Sequence, residues 1–182
     1  MNKKGLSWVI IVVVVIVIIV VGGVAYWALT STGTEEPTPT PTPTPPASNG
    51  IETATSLGFK VDAYGEMYAF TAKNLGTSDI MLRTDETDAQ GTNFVYLLKQ
   101  GDETVWLSYA GTWMDYSDDF ASYWSGENSG YIGYTAFDGY TTELAANWSG
   151  SGDYDYTDSG EAIHIYDIIV NPAPADSLFE HG

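Results

Sequence analysis

The residue types that carry most acid–base, metal and nucleophilic chemistry are sparse in this chain. It has no cysteine and two histidines among its 182 residues, which removes a disulfide framework, a zinc cluster and a thiol nucleophile. His164 alternates with Ile163 and Ile165 as a sheet residue would, and His181 stands at a chain end, where ordering is weakest. No Gly-x-Ser-x-Gly elbow occurs, and no glycine-rich phosphate loop precedes a helix. Carboxylates are plentiful, so a pair at the ~5–9 Å used by glycosidases can arise by proximity, but no spacing selects one pair. The expectation is a non-enzymatic protein, with no catalytic residue, metal or cofactor assigned.

Two local signals remain. Asp153-Tyr154-Asp155-Tyr156-Thr157-Asp158 opens like a calcium loop, yet Asp158 stands where such a loop needs Gly, and no Glu follows at its twelfth position. The competing reading is an exposed strand or turn with its tyrosines turned inward. Asn147-Trp148-Ser149 is an N-glycosylation sequon, accessible only if the backbone beside Trp148 is not buried on a helix.

What the sequence does hold in excess is aromatic surface. Phe94, Tyr96, Trp106, Trp113, Phe120 and Trp124 are candidate walls of a pocket for a lipid or another apolar ligand, with residues 117 to 148 as its lid. The alternative is that the same side chains are simply core. Connected apolar volume separates the two: a ligand cavity holds ~300 Å³ or more, and a filled core has few voids larger than a water.

The elements that must position these residues are mostly strands. Runs at 56–64, 66–74, 79–86, 92–99 and 103–110 are aromatic and β-branched, separated by Gly, Asn, Asp and Thr turns, and read as an antiparallel meander. In the fourth run Phe94, Tyr96 and Leu98 share one face and Val95 and Leu97 the other; in the fifth, Val105, Leu107 and Tyr109 oppose Trp106. Strands apolar on both faces need cover on both. After Tyr116 the period changes. Ser117, with Asp118 and Asp119 behind it, starts a short helix carrying Phe120, Tyr123 and Trp124. Phe137, Tyr140, Leu144, Ala145 and Trp148 then follow helical spacing, with Gly126, Gly130, Gly133 and Gly139 keeping these helices short. A final strand at 161–170 returns to the sheet before Pro172 and Pro174 end it. The expected fold class is mostly β (α+β), a single antiparallel sheet with short helices.

Residues 6 to 29 form one apolar run of 24 residues, enough to span the ~30 Å hydrocarbon core of a bilayer as a helix. It is longer than a cleavable signal and ends in Tyr26 and Trp27, which suit the interface. Lys3 and Lys4 precede it and Glu35 and Glu36 follow it. The expected topology is a cytoplasmic tail (1–5), a transmembrane helix (6–29), a Thr/Pro-rich extracellular spacer (30–50) and an acidic extracellular β domain (51–182). The spacer holds six of the eight prolines and favours extended polyproline II; its threonines are either O-glycosylated or bare. The domain has 22 aromatic residues of 132.

The charge is lopsided. All 24 acidic residues lie beyond the apolar run, against Lys60, Lys73, Arg83 and Lys99, and from Gln100 onward there are fifteen acids and no Lys or Arg. Nucleic acid and anionic lipid headgroups are excluded as partners, because both need Lys/Arg to neutralise phosphate. The acidity serves solubility in a salty exterior or attracts a cationic partner. Oligomeric state is not legible.

The hairpin strands, the segment VWLSYAGTWMDYS with Trp106 and Trp113, the aromatic helical stretch and the closing Asn171-Pro172-Ala173-Pro174-Ala175-Asp176-Ser177-Leu178-Phe179 together resemble the periplasmic lipoprotein-carrier family over residues 56 to 180. That resemblance implies a curved antiparallel sheet, an incomplete barrel with short helices on its concave face, and a cavity for acyl chains between them. It places Trp106 and Trp113 on one hairpin beside that face. The domain is shorter than such carriers and is joined to an anchor, which leaves a stationary binding module or a self-filled scaffold open. Lys3-Lys4-Gly5 before the apolar run also resembles the processing site of type IV pilin-like precursors, which implies a surface-filament subunit; the other reading is an ordinary cytoplasmic tail.

Overall fold

The computed structural model describes residues 48–127 and 132–182. All of them belong to one unit of the chain, Pro46–Gly182. The apolar run, the Lys3-Lys4-Gly5 site and the spacer up to residue 47 lie outside the described residues, among which no helix is long and apolar enough to cross a membrane.

Eight strands form one antiparallel sheet: β1 (Ser56–Ala63), β2 (Glu66–Lys73), β3 (Met81–Thr87), β4 (Asn93–Lys99), β5 (Thr104–Tyr109), β6 (Thr112–Asp115), β7 (Tyr154–Asp158) and β8 (Glu161–Val170). Their spatial order is β6-β5-β4-β3-β2-β1-β8-β7, an open sheet with β6 and β7 as its edges. Between β6 and β7 lie a 3₁₀ turn (Ser117–Asp119) and two helices, α1 (Phe120–Ser125) and α2 (Tyr134–Asn147). The five strands expected before residue 110 and the last strand are present. The short β6 is a further strand, and the 153–158 segment takes its strand reading.

Three hairpins share one turn. Tyr64-Gly65, Ala110-Gly111 and Ser159-Gly160 have φ near 57° and 82°, 48° and 78°, and 53° and 95°. Two successive positive φ values make the two-residue turn whose twist matches paired strands, and the second position takes glycine because it has no Cβ to clash. Asp88 closes the β3–β4 connection by accepting the amides of Gln90 and Thr92 at 2.9 and 2.7 Å.

One face of the sheet carries the core. Leu57, Phe59, Val61, Tyr68, Phe70, Leu82, Leu98, Val105, Ile163 and Ile165 pack against Phe137, Tyr140 and Leu144 of α2, with Trp148 just beyond its end. These are the positions that the helical spacing selects. Phe59 stacks on Phe137 at 5.6 Å between centroids, and Phe70 lies 6.0 Å from Phe137 and 5.8 Å from Tyr140. Thr84, fully buried, donates its hydroxyl to the Ile132 carbonyl at 2.9 Å and ties the entry of α2 to β3.

The opposite face is crossed by the C-terminal segment. Asn171 Oδ1 accepts the Thr55 amide at 2.7 Å, Lys73 pairs with Asp176, Arg83 Nη1 donates to the Leu178 carbonyl at 3.1 Å, and the His181 ring stacks on Trp106 at 3.6 Å. The segment thus runs from β1 to β5. Leu97 stands in register between Arg83 and Trp106, so the tail passes over it, and Leu97 is only 1% exposed. This is the second cover that a strand apolar on both faces requires.

The domain also begins earlier than the composition shift at residue 51. Asn49 Nδ2 donates to the carbonyls of Leu144, Ala145 and Trp148 at 2.8, 3.1 and 3.0 Å. Its Oδ1 accepts the Ile51 amide at 3.1 Å. The last carbonyls of a helix have no partner within it, and here a residue assigned to the spacer supplies one. Composition could not reveal this, because Asn next to Gly reads as linker.

Candidate functional site

The six residues expected to wall one pocket lie on two faces of the sheet. Phe94 and Tyr96 alternate with the buried Leu98 on the helix-covered face of β4, and there Phe94 contacts Tyr96 at 6.4 Å and Tyr109 at 5.3 Å. Phe120 and Trp124 lie on α1, 5.3 Å apart, with Trp124 stacked on Tyr134 of α2 at 4.3 Å. Trp106 and Trp113 share a hairpin, as expected, but on the other face. Ser108 pairs with Trp113, which puts Trp113 diagonally beside Trp106, and both contact His181 at 6.4 and 3.6 Å. The reason is parity: in the fifth strand Trp106 is out of phase with Val105 and Leu107, so facing the helices excludes it. His181, expected to fray, is instead the ring that covers Trp106.

On the helix face the hydroxyls of Tyr68 and Tyr96 are engaged with carboxylates. Tyr68 donates its hydroxyl to Glu66, and burial together with that bond raises its pKa. Burial also raises the pKa of Tyr96, with the Glu86 carboxylate beside it adding to the shift. Glu86 itself is shifted upward by burial, against a hydrogen bond from Tyr96 that acts the other way. These are ring-and-carboxylate pairs inside packed structure, the usual arrangement for buried tyrosines.

Surface grooves of about 500, 450, 320 and 260 Å³ are present, and none of these is lined by any of the six aromatics. The 450 Å³ groove runs over Gly58, Ala69, Thr71 and Ile169 beside the Lys60–Asp167 pair (2.8 Å). The 500 Å³ groove lies at the β1–β2 turn between Asp62, Glu66, Asp88 and Glu161. The 320 Å³ groove adjoins it across Tyr64 and is formed by α2 and the β7–β8 hairpin; Tyr140, Tyr156, Glu143 and Asp158 line it over Gly139. Tyr154, next along β7, donates to Glu143 at 2.6 Å and stacks with Tyr156 at 5.7 Å, which fixes the strand's tyrosines against the helix. These lining residues come from three separate stretches of chain and were not selected from sequence. The one available signal was Gly139, a glycine in the interior of a helical pattern.

The remaining sequence candidates are placed as follows. Asn147 is the last residue of α2 and is exposed, its amide donating to Glu143 at 2.8 Å, while Trp148 is buried with its indole donating to the Gly152 carbonyl at 2.9 Å. Asp155 of the calcium-like segment meets His164 at 2.7 Å across the β7–β8 ladder. Among the described residues no group of three or more His, Asp or Glu is arranged to hold a metal ion. Compared with known proteins, the chain matches no family model, and no curated protein or solved structure is significantly similar to it.

Proposed function

We propose that this chain is a single-pass membrane protein whose acidic C-terminal domain is displayed outside the cell and acts by binding at its surface, without catalysis. The observation that carries the reading is the filled interior. Where a lipoprotein carrier would hold acyl chains, between sheet and helices, Phe59, Phe70, Phe137 and Tyr140 occupy the space with centroids about 5–6 Å apart. Such close aromatic packing is that of a core. The incomplete-barrel architecture enters this proposal as a scaffold: an open sheet with helices on one face, its interior closed by its own side chains. Anchoring rests on residues 6 to 29 and orientation on Lys3 and Lys4. A spacer of alternating Thr-Pro suits a domain that must stand off the bilayer to meet a partner. Assembly as a pilin-like filament has less support, since that spacer separates the apolar helix from the domain.

The test has two parts. Protease added to intact cells is expected to release the folded domain by cutting in the spacer, and native mass spectrometry of the released domain should show no stoichiometric acyl lipid. A domain protected until lysis overturns the topology. A co-purified lipid at one per chain overturns the surface-binding reading and restores the carrier.

A further inference from the structure

Gly139 is the least economical residue in α2. A glycine in a helix interior costs ~1 kcal/mol relative to alanine, and such a glycine is ordinarily explained by a neighbour too close for a side chain. Here a Cβ built at 139 meets nothing within 4 Å. No packing or positive φ calls for the glycine, yet it lies on the lining of the 320 Å³ groove between α2 and β7–β8. What its missing side chain preserves is the open space.

The groove's chemistry is one-sided. Three tyrosines (Tyr64, Tyr140, Tyr156) and two carboxylates (Glu143, Asp158) line it, with no Lys, Arg or His. The adjoining groove across Tyr64 adds Asp62, Glu66, Asp88 and Glu161, again without a cationic side chain. Burial first, then Asp158, Glu143 and Tyr64, hold the Tyr156 hydroxyl up at about 12, which fits these groups facing one space. Aromatic faces with neighbouring negative charge attract a bulky ammonium group better than any neutral molecule of its shape. The volume also reaches the lower bound of small-molecule sites, ~300 Å³.

We infer that the groove between α2 and the β7–β8 hairpin is a binding site for the quaternary ammonium group of a small organic cation, held by the rings of Tyr64, Tyr140 and Tyr156 and by the charges of Glu143 and Asp158. A primary ammonium keeps more of its hydration and is the weaker ligand. The site names a ligand class for the surface-binding reading above. It rests on that reading only for its accessibility.

The probe is choline chloride, titrated calorimetrically into the full chain in maltoside micelles, against its neutral isostere 3,3-dimethylbutan-1-ol. Choline should bind at one site, with affinity falling as salt rises, and the isostere should bind at least about tenfold more weakly. Tyr156→Phe should keep binding and Tyr156→Ala lose about tenfold. Gly139→Leu favours the helix, and its Cβ meets nothing within 4 Å; it should hold or raise the melting temperature and abolish binding. Equal affinity for the isostere overturns the inference, as does undiminished choline binding in Gly139→Leu, or no choline binding at all. Failure of choline to bind, with no lipid on the native domain, removes this ligand class and leaves the surface-binding reading standing; a stoichiometric lipid removes that reading itself.

Discussion

The two faces of the sheet are closed by different means. On one, α2 lays Phe137, Tyr140 and Leu144 onto strand residues that are themselves aromatic or branched. On the other, twelve residues from Asn171 to Gly182 cross the strands, held by an ion pair, an Arg83 hydrogen bond, one buried ring (Phe179) and the His181–Trp106 stack. The first cover is wide and apolar and the second narrow and mostly polar. Stability therefore concentrates on the helix face, and the tail face should open at lower cost and by different chemistry.

Alkali should have the largest effect, and it acts on the helix face. Burial raises Tyr68, Tyr96, Tyr154 and Tyr156, the last two to about 12, with Glu143 adding to the shift at Tyr154. A raised folded value favours the neutral phenol in the fold. Its contribution is complete below the unfolded tyrosine value of ~10 and is lost as pH rises through about 12. Tyrosinate absorbance and far-ultraviolet circular dichroism should change together in that window. Full tyrosine ionisation near pH ~10 with the fold intact would place these rings at the surface.

Next in size is Phe137→Ala. Phe137 is 1% exposed and contacts Phe59, Phe70 and Tyr134, so truncation should cost ~3–5 kcal/mol in chemical denaturation of residues 46–182. The Trp106–His181 stack should survive in its folded state. Phe179→Ala is the matching change on the other face. It should cost ~3 kcal/mol, the lower end for a buried phenylalanine, because the tail can lift away and leave no cavity. Its signature is a red shift of Trp106 emission while the protein is still folded. A loss equal to that of Phe137→Ala, with no such shift, would make the tail an integral part of the core.

Asn49→Ala should follow, at ~1–3 kcal/mol, since it strips the carbonyls at the end of α2 of their side-chain donor. A domain begun at residue 51 should melt below one begun at residue 46. Equal melting temperatures would return Asn49 to the spacer. The smallest effect belongs to acid on the tail face. Lys73, by hydrogen bond and then by charge, holds Asp176 below its ordinary value. That contribution is present above the unfolded aspartate value of ~3.9 and is lost as pH falls through the lowered folded one. Asp176→Asn should flatten only the acid limb of melting temperature against pH and leave the alkaline limb untouched.

The sequence by itself determined most of the elements, because each depends on neighbours in the chain, though not the short β6. Alternation placed Phe94, Tyr96 and Leu98 on one face of β4, and the helical period picked out Phe137, Tyr140, Leu144 and Trp148 as the buried side of α2. The Xaa-Gly turns marked hairpins at Gly65 and Gly111, while the Ser159-Gly160 hairpin came from the structure. The need for cover on both faces of β4 and β5 was also legible. Who supplies that cover was not. Alternation separates Trp106 from Val105 and Leu107 but does not say which set meets the helices, so only tertiary structure put Trp106 and Trp113 under the tail. Asn49 reaches the end of α2 across 95 residues, and the 320 Å³ groove draws on the β1–β2 turn, α2 and β7–β8. Contacts at such separation leave no local pattern, because a residue's propensity reports its own backbone while its partner is set by where the strands finally pair.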